Sequence, residues 1–77
     1  MHEVTIRFRL VKEDRIVEAR LDTRLSFAHN LKLLGELIGF DLEHALVYDA
    51  EKKIFLDRNI ILAKFNIGYI ITLHLFT

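Results

Sequence analysis

The chain has no cysteine, so no disulfide framework, thiolate nucleophile or zinc ribbon can supplement a small core. Packing alone must hold it. An excess of charge of one sign is missing too: eleven Lys and Arg balance eleven Asp and Glu. No global field exists to hold nucleic acid or acidic lipid. No apolar run approaches the ~20 residues of a membrane span, and Met1-His2-Glu3-Val4 lacks the basic region and apolar core of a signal peptide. A cytoplasmic chain without membrane insertion is expected. The three glycines, Gly35, Gly39 and Gly68, are scattered, which excludes a dinucleotide fingerprint or a phosphate loop. Serine occurs once, as Ser26.

What is present is a globular balance, 52% hydrophobic and 29% charged over 77 residues, expected to fold as one domain spanning 1–77. Val4, Ile6, Phe8 and Leu10 alternate with Thr5, Arg7 and Arg9, the period-2 signature of a half-buried strand. After Lys12-Glu13-Asp14-Arg15 the alternation resumes at Val17, Ala19 and Leu21, which predicts a hairpin with a loop of about four residues.

Ser26 suits a helix N-cap, because its hydroxyl can accept from a backbone N–H one turn in. Phe27, Leu31, Leu34 and Ile38 then form one helical stripe, with Leu33 and Leu37 expected to broaden it. Gly35 reads as a mild cost inside this helix, about 1 kcal/mol relative to Ala. Gly39 fits the left-handed residue that ends it, with Phe40 folding back onto the last turn. Ala45 to Asp49 is expected to be a third strand, Leu46 and Tyr48 facing the helix and Val47 facing away. Ile54-Phe55-Leu56 makes a fourth strand. A helical turn over Ile60 to Asn66 inserts Leu62 and Phe65, and Ile71, Leu73 and Leu75 lead a last strand. The order β-β-α-β-β-β, with the first and last strands paired in parallel, is an α+β arrangement: a mixed four- or five-stranded sheet under one helix.

Leu62, Phe65-Asn66-Ile67 and Thr72-Leu73-His74-Leu75-Phe76 resemble the ubiquitin pattern Leu-x-x-Tyr-Asn-Ile followed, at the same spacing, by Thr-Leu-His-Leu-Val. The resemblance implies a ubiquitin-like β-grasp fold. It covers nearly the whole chain in element order and only the C-terminal third in motif. Two departures stand out: Phe65 replaces Tyr, and the sequence stops at Thr77 without the Gly-Gly tail that ubiquitin and the related sulfur carriers use. A carrier or modifier role is therefore expected only of a longer protein. The short C-terminus and the aromatic-x-Ile pattern at Phe65 and Ile67, before a Leu-rich strand, are similar to the small YukD and EsaB proteins. That likeness implies a cytoplasmic accessory or regulatory part of a bacterial type VII secretion system; Gly68 sits earlier than that family's glycine.

Catalytic, metal and cofactor sites are not expected. No two of His2, His29, His44 and His74 share a helical i, i+3 or i+4 spacing, and Ser26 is better explained as a cap than as a nucleophile. Arg7, Arg9 and Arg20 should crowd the outer face of the first hairpin, near Glu18. The resemblance to ubiquitin places Val11, Val47, His74 and Phe76 at its hydrophobic recognition patch. A protein-binding face made of these four, rimmed by Arg7 and Arg9, is the leading functional expectation. A sulfur carrier and a structural homodimer are the alternatives. Phe55, Ile60 or Ile70 could also cover the patch.

Overall fold

Unbroken alternation at the N-terminus builds the first hairpin. In the computed structural model, which describes residues 2–65 and 72–77, β1 (Glu3–Leu10) pairs antiparallel with β2 (Arg15–Asp22) from Glu3↔Asp22 to Leu10↔Arg15. The connection Val11 to Asp14 closes with Asp14 in the left-handed region, φ 49°. Ile6, Phe8, Leu10, Ala19 and Leu21 are buried on the inner face, with Val4 and Val17 packed against them.

Helix α1 (Phe27–Ile38) starts and stops where its capping residues sit. The Ser26 hydroxyl accepts from the His29 N–H at 3.1 Å, and Gly39 at φ 79° turns the chain out of the helix. The N–H groups of Gly39 and Phe40 both donate to the Gly35 carbonyl. Phe27, Leu31 and Leu34 are buried against the sheet. Leu33 and Leu37 do not widen that stripe: they are 47% and 81% exposed. Gly35 is more than a weak helix former, because a Cβ there would lie 2.4 Å from the Phe40 carbonyl oxygen. The fold-back of Phe40 requires a residue without a side chain at that point.

Three further strands complete the sheet: β3 (Leu46–Asp49), β4 (Ile54–Leu56) and β5 (Thr72–Phe76). The sheet order is β2-β1-β5-β3-β4, with β5 parallel to β1 and antiparallel to β3. The sheet is mixed and five-stranded, with one helix across it. A 3-10 turn, Leu62–Lys64, inserts the buried Leu62, and Phe65 meets Phe27 edge-on at 5.1 Å. Ile67, Gly68, Ile70 and Ile71, named in the sequence reading, and Asn66 at the end of the expected turn, lie outside the described residues. Among the described residues no helix is long and apolar enough to cross a membrane.

A single buried amide fixes the crossover from hairpin to helix. Asn30, 4% exposed, accepts from the Asp22 N–H at 2.9 Å and donates to the carbonyls of Asp22 and Ser26 at 3.0 and 2.9 Å. Nearby, Leu62 and Ala63 donate to the carbonyls of Leu25 and Thr23, which ties the 3-10 turn to the same connection. The buried Asn30 amide thereby has its oxygen and both its N–H groups paired, as burial demands.

Candidate protein-binding face

The phase of β3 decides which side chains reach the outer face of the sheet. Leu46, Val47 and Tyr48 are all apolar or aromatic, so period-2 alternation alone does not choose between them. Registration does: Val47 lies opposite Leu75 and Leu56, both on the inner side, and is 1% exposed. Asp49, on the same side, is buried at the following turn, where its carboxylate accepts from the N–H groups of Glu51 and Lys52 at 3.0 and 3.2 Å. The expectation that Val47 faces outward is thus reversed. A shift of one residue exchanges the two faces of a strand, and Leu46, 52% exposed, occupies the outer position opposite Phe76.

The outer face over β3, β4 and β5 is aromatic. Tyr48 is in register with His74 on one side and Phe55 on the other. Its ring lies 4.8 Å from Phe55, 5.9 Å from Phe76 and 6.3 Å from His74, centroid to centroid. Phe55 and Phe76 are 6.1 Å apart. These tilted and edge-on arrangements suit the ring quadrupoles. They leave Phe55 60% and Phe76 37% exposed. Phe55 therefore extends the patch rather than shielding it, and Ile60 is itself exposed. Ile70 lies outside the described residues.

Arg7 and Arg9 border this cluster, in register with Thr72 and His74 respectively. Arg9 donates to the Asp14 carboxylate at 2.9 Å, and Arg7 lies 3.7 Å from Glu18. Both side chains remain nearly half exposed. Val11 is half-buried just beyond Leu10, and its N–H donates to the Leu75 carbonyl at 3.1 Å. His74, Phe76, Arg7 and Arg9 are thus brought to one face, Val11 to its edge, and Val47 to the opposite side. Leu46 and Tyr48, expected to face the helix, belong instead to this outer face, as does Phe55, expected only as a cover for the patch. The ladder of aromatic residues at Tyr48, Phe55 and Phe76 is the signal that could have found two of them.

Elsewhere the polar chemistry is local. Hydrogen bonds from the Arg24 side chain, then from its backbone N–H, hold the Asp22 carboxyl down at about 2, and the same pair raises Arg24. Among the described residues no three His, Asp or Glu side chains gather as metal ligands would.

No family model matches the chain, and no curated protein matches it in sequence. Solved structures do. A chain from work on molecular mimicry of SUMO in DNA repair superimposes with a TM-score of 0.83 at 10% identity, covering 100% of this chain and 94% of that one. A de novo design based on ubiquitin gives 0.73 at 22% identity over 96% and 87% of the two chains. The C-terminal ubiquitin-like domain of mouse tubulin-specific chaperone e gives 0.65 at 14% identity over 99% and 89%. The fold is a ubiquitin-like β-grasp.

Proposed function

We propose that these 77 residues act as a single, non-catalytic domain that binds another protein through the outer face of β3, β4 and β5. One observation carries this reading: Leu46, Tyr48, Phe55 and Phe76 form a continuous apolar surface on a sheet whose hydrophobic core is complete without them. Clustered aromatic rings of this kind supply large contact area at small entropic expense. The half-exposed Arg7, Arg9 and His74 sit beside them as an orienting polar rim.

A partner with an apolar contact patch of its own is the expected occupant. Replacing Leu46 and Phe76 together by Ser should preserve the fold, read by amide NMR, and abolish capture of the partner. Capture at wild-type strength would discard the reading. The cellular setting is a finer proposal: the likeness of Phe65, Ile67 and the Leu73 to Leu75 strand to YukD and EsaB supports a cytoplasmic accessory component of type VII secretion. Genes for a membrane ATPase and small helical secreted proteins beside this one would support that setting; their absence would count against it.

A further inference from the structure

The long edge of the sheet carries a second interaction surface, distinct from the aromatic face. β2 is an edge strand of eight residues, paired without interruption to β1, and among the described residues no strand lies on its other side. It has no proline and no bulge, the usual devices that blunt such an edge. Which of its backbone groups point outward follows from two hydrogen bonds. The Asp22 N–H turns away from β1 to Asn30, whereas the Thr23 N–H turns toward it, to the His2 carbonyl. By alternation, Ile16, Glu18 and Arg20 also direct their N–H and C=O groups outward. Asn30 occupies the outward groups of Asp22; nothing described here occupies those of Glu18 and Arg20.

We infer that this edge pairs with β2 of a second copy of the chain, antiparallel, with Ala19 on the two-fold axis. In that register Glu18 of each copy stands opposite Arg20 of the other, and the two residues exchange main-chain N–H···O=C bonds. Val17 stands opposite Leu21 on the inner face. Charge and free backbone groups together select this register. Moving the axis to Glu18 or Arg20 sets like charges opposite each other, an axis at Leu21 calls on the outward groups of Asp22 that Asn30 already holds, and an axis at Val17 leaves Arg20 beyond the end of the partner's strand. Odd sums of positions pair an outward-facing residue with an inward-facing one, which breaks the ladder.

The small Ala19 at the axis leaves space beneath it. There a groove runs between β2 and α1, lined by Val17, Ala19, Leu33, Leu34, Leu37 and Ile38 among others. Leu33 and Leu37, which the chain's own core leaves in water, lie along this groove, on the side that the two-fold brings together. An isologous contact of this kind is self-complementary, as closed dimers require. The existing partners do not compete strongly: Glu18 with Arg7 and Arg20 with Glu3 are exposed pairs at 3.7 Å, a class of small energetic weight.

The test is sedimentation equilibrium of the whole chain and two charge reversals. The wild type should rise from 9.1 kDa toward twice that mass as its concentration approaches about 1 mM. Glu18→Arg and Arg20→Glu should each weaken association on the order of tenfold or more, since two symmetric pairs turn from attraction to repulsion. An equimolar mixture of the two variants should associate again, because each then meets its opposite charge. That restoration also shows that both variants are folded. A wild type that stays at 9.1 kDa, a reversal that associates as the wild type does, or a mixture that remains monomeric would overturn the inference. The Leu46 and Phe76 variant should dimerise normally, which separates this edge from the aromatic face.

Discussion

Two rows of side chains cross the sheet one residue apart and have opposite fates. Leu10, Leu75, Val47 and Leu56 form the inner row; Arg9, His74, Tyr48 and Phe55 form the outer one. Both run on the same four strands with the same hydrogen-bonded backbone. In the inner row Leu10, Leu75 and Val47 are at most 1% exposed. The outer row changes character along its length, from an arginine bound to Asp14 on β1 to a ring in water on β4. Folding constrains the inner row completely. It leaves the composition of the outer row to some other requirement, which is why the aromatic half reads as functional.

The comparison breaks most visibly with substitutions in register. Leu75→Ala should cost about 2–5 kcal/mol by removing a fully buried side chain, while Phe55→Ala, directly across the outer face, should cost less than about 1 kcal/mol. Urea midpoints measured on both variants decide this. Equal losses would mean that the outer rings belong to the core.

Gly35→Ala probes whether the inner side tolerates any added atom. Helix propensity favours Ala by about 1 kcal/mol, but the new Cβ must displace the Phe40 carbonyl. A net loss of about 1–3 kcal/mol is expected, seen as a lower Tm. Asn30→Ala should lower stability by a similar or smaller amount, about 1–2 kcal/mol, since it leaves the part-buried Asp22 N–H without its acceptor. Faster amide exchange at Asp22 would locate the lesion.

The smallest effect lies at the polar margin. The folded-state carboxyl of Asp22 titrates at about 2, below the usual value near 3.9 for an unfolded chain. Its contribution is therefore complete above about pH 4 and is lost as pH falls through 2. The Tm advantage of the wild type over Asp22→Asn should shrink across that interval and vanish below it.

Period-2 alternation made β1, β2 and β5 legible, and Ser26 and Gly39 marked the helix ends, because those signals are local. The phase of β3 was not local. Leu46-Val47-Tyr48 offers two equally apolar faces, and only pairing with Leu75 and Leu56 chooses between them. Leu33 and Leu37 were misplaced for a related reason: helical spacing says which residues share a stripe, not how wide a five-stranded sheet can cover it. Asn30 gives no warning in sequence, since its partners are backbone groups supplied by Asp22 at the end of β2 and by Ser26 at the helix cap. Of the expected face, His74, Phe76, Arg7 and Arg9 lie together; the residue that replaces Val47 is its neighbour, Leu46.

The position of β5 has a consequence for how the protein is made. The strand joining β1 to β3 is the last of the five to be synthesised. Until Thr72–Phe76 has been made, no strand pairs with both β1 and β3, and the two hairpins are held to one another only through α1 and the 3-10 turn. The five-stranded sheet therefore closes only after Phe76 has been made, in one late step that sets β5 at its centre.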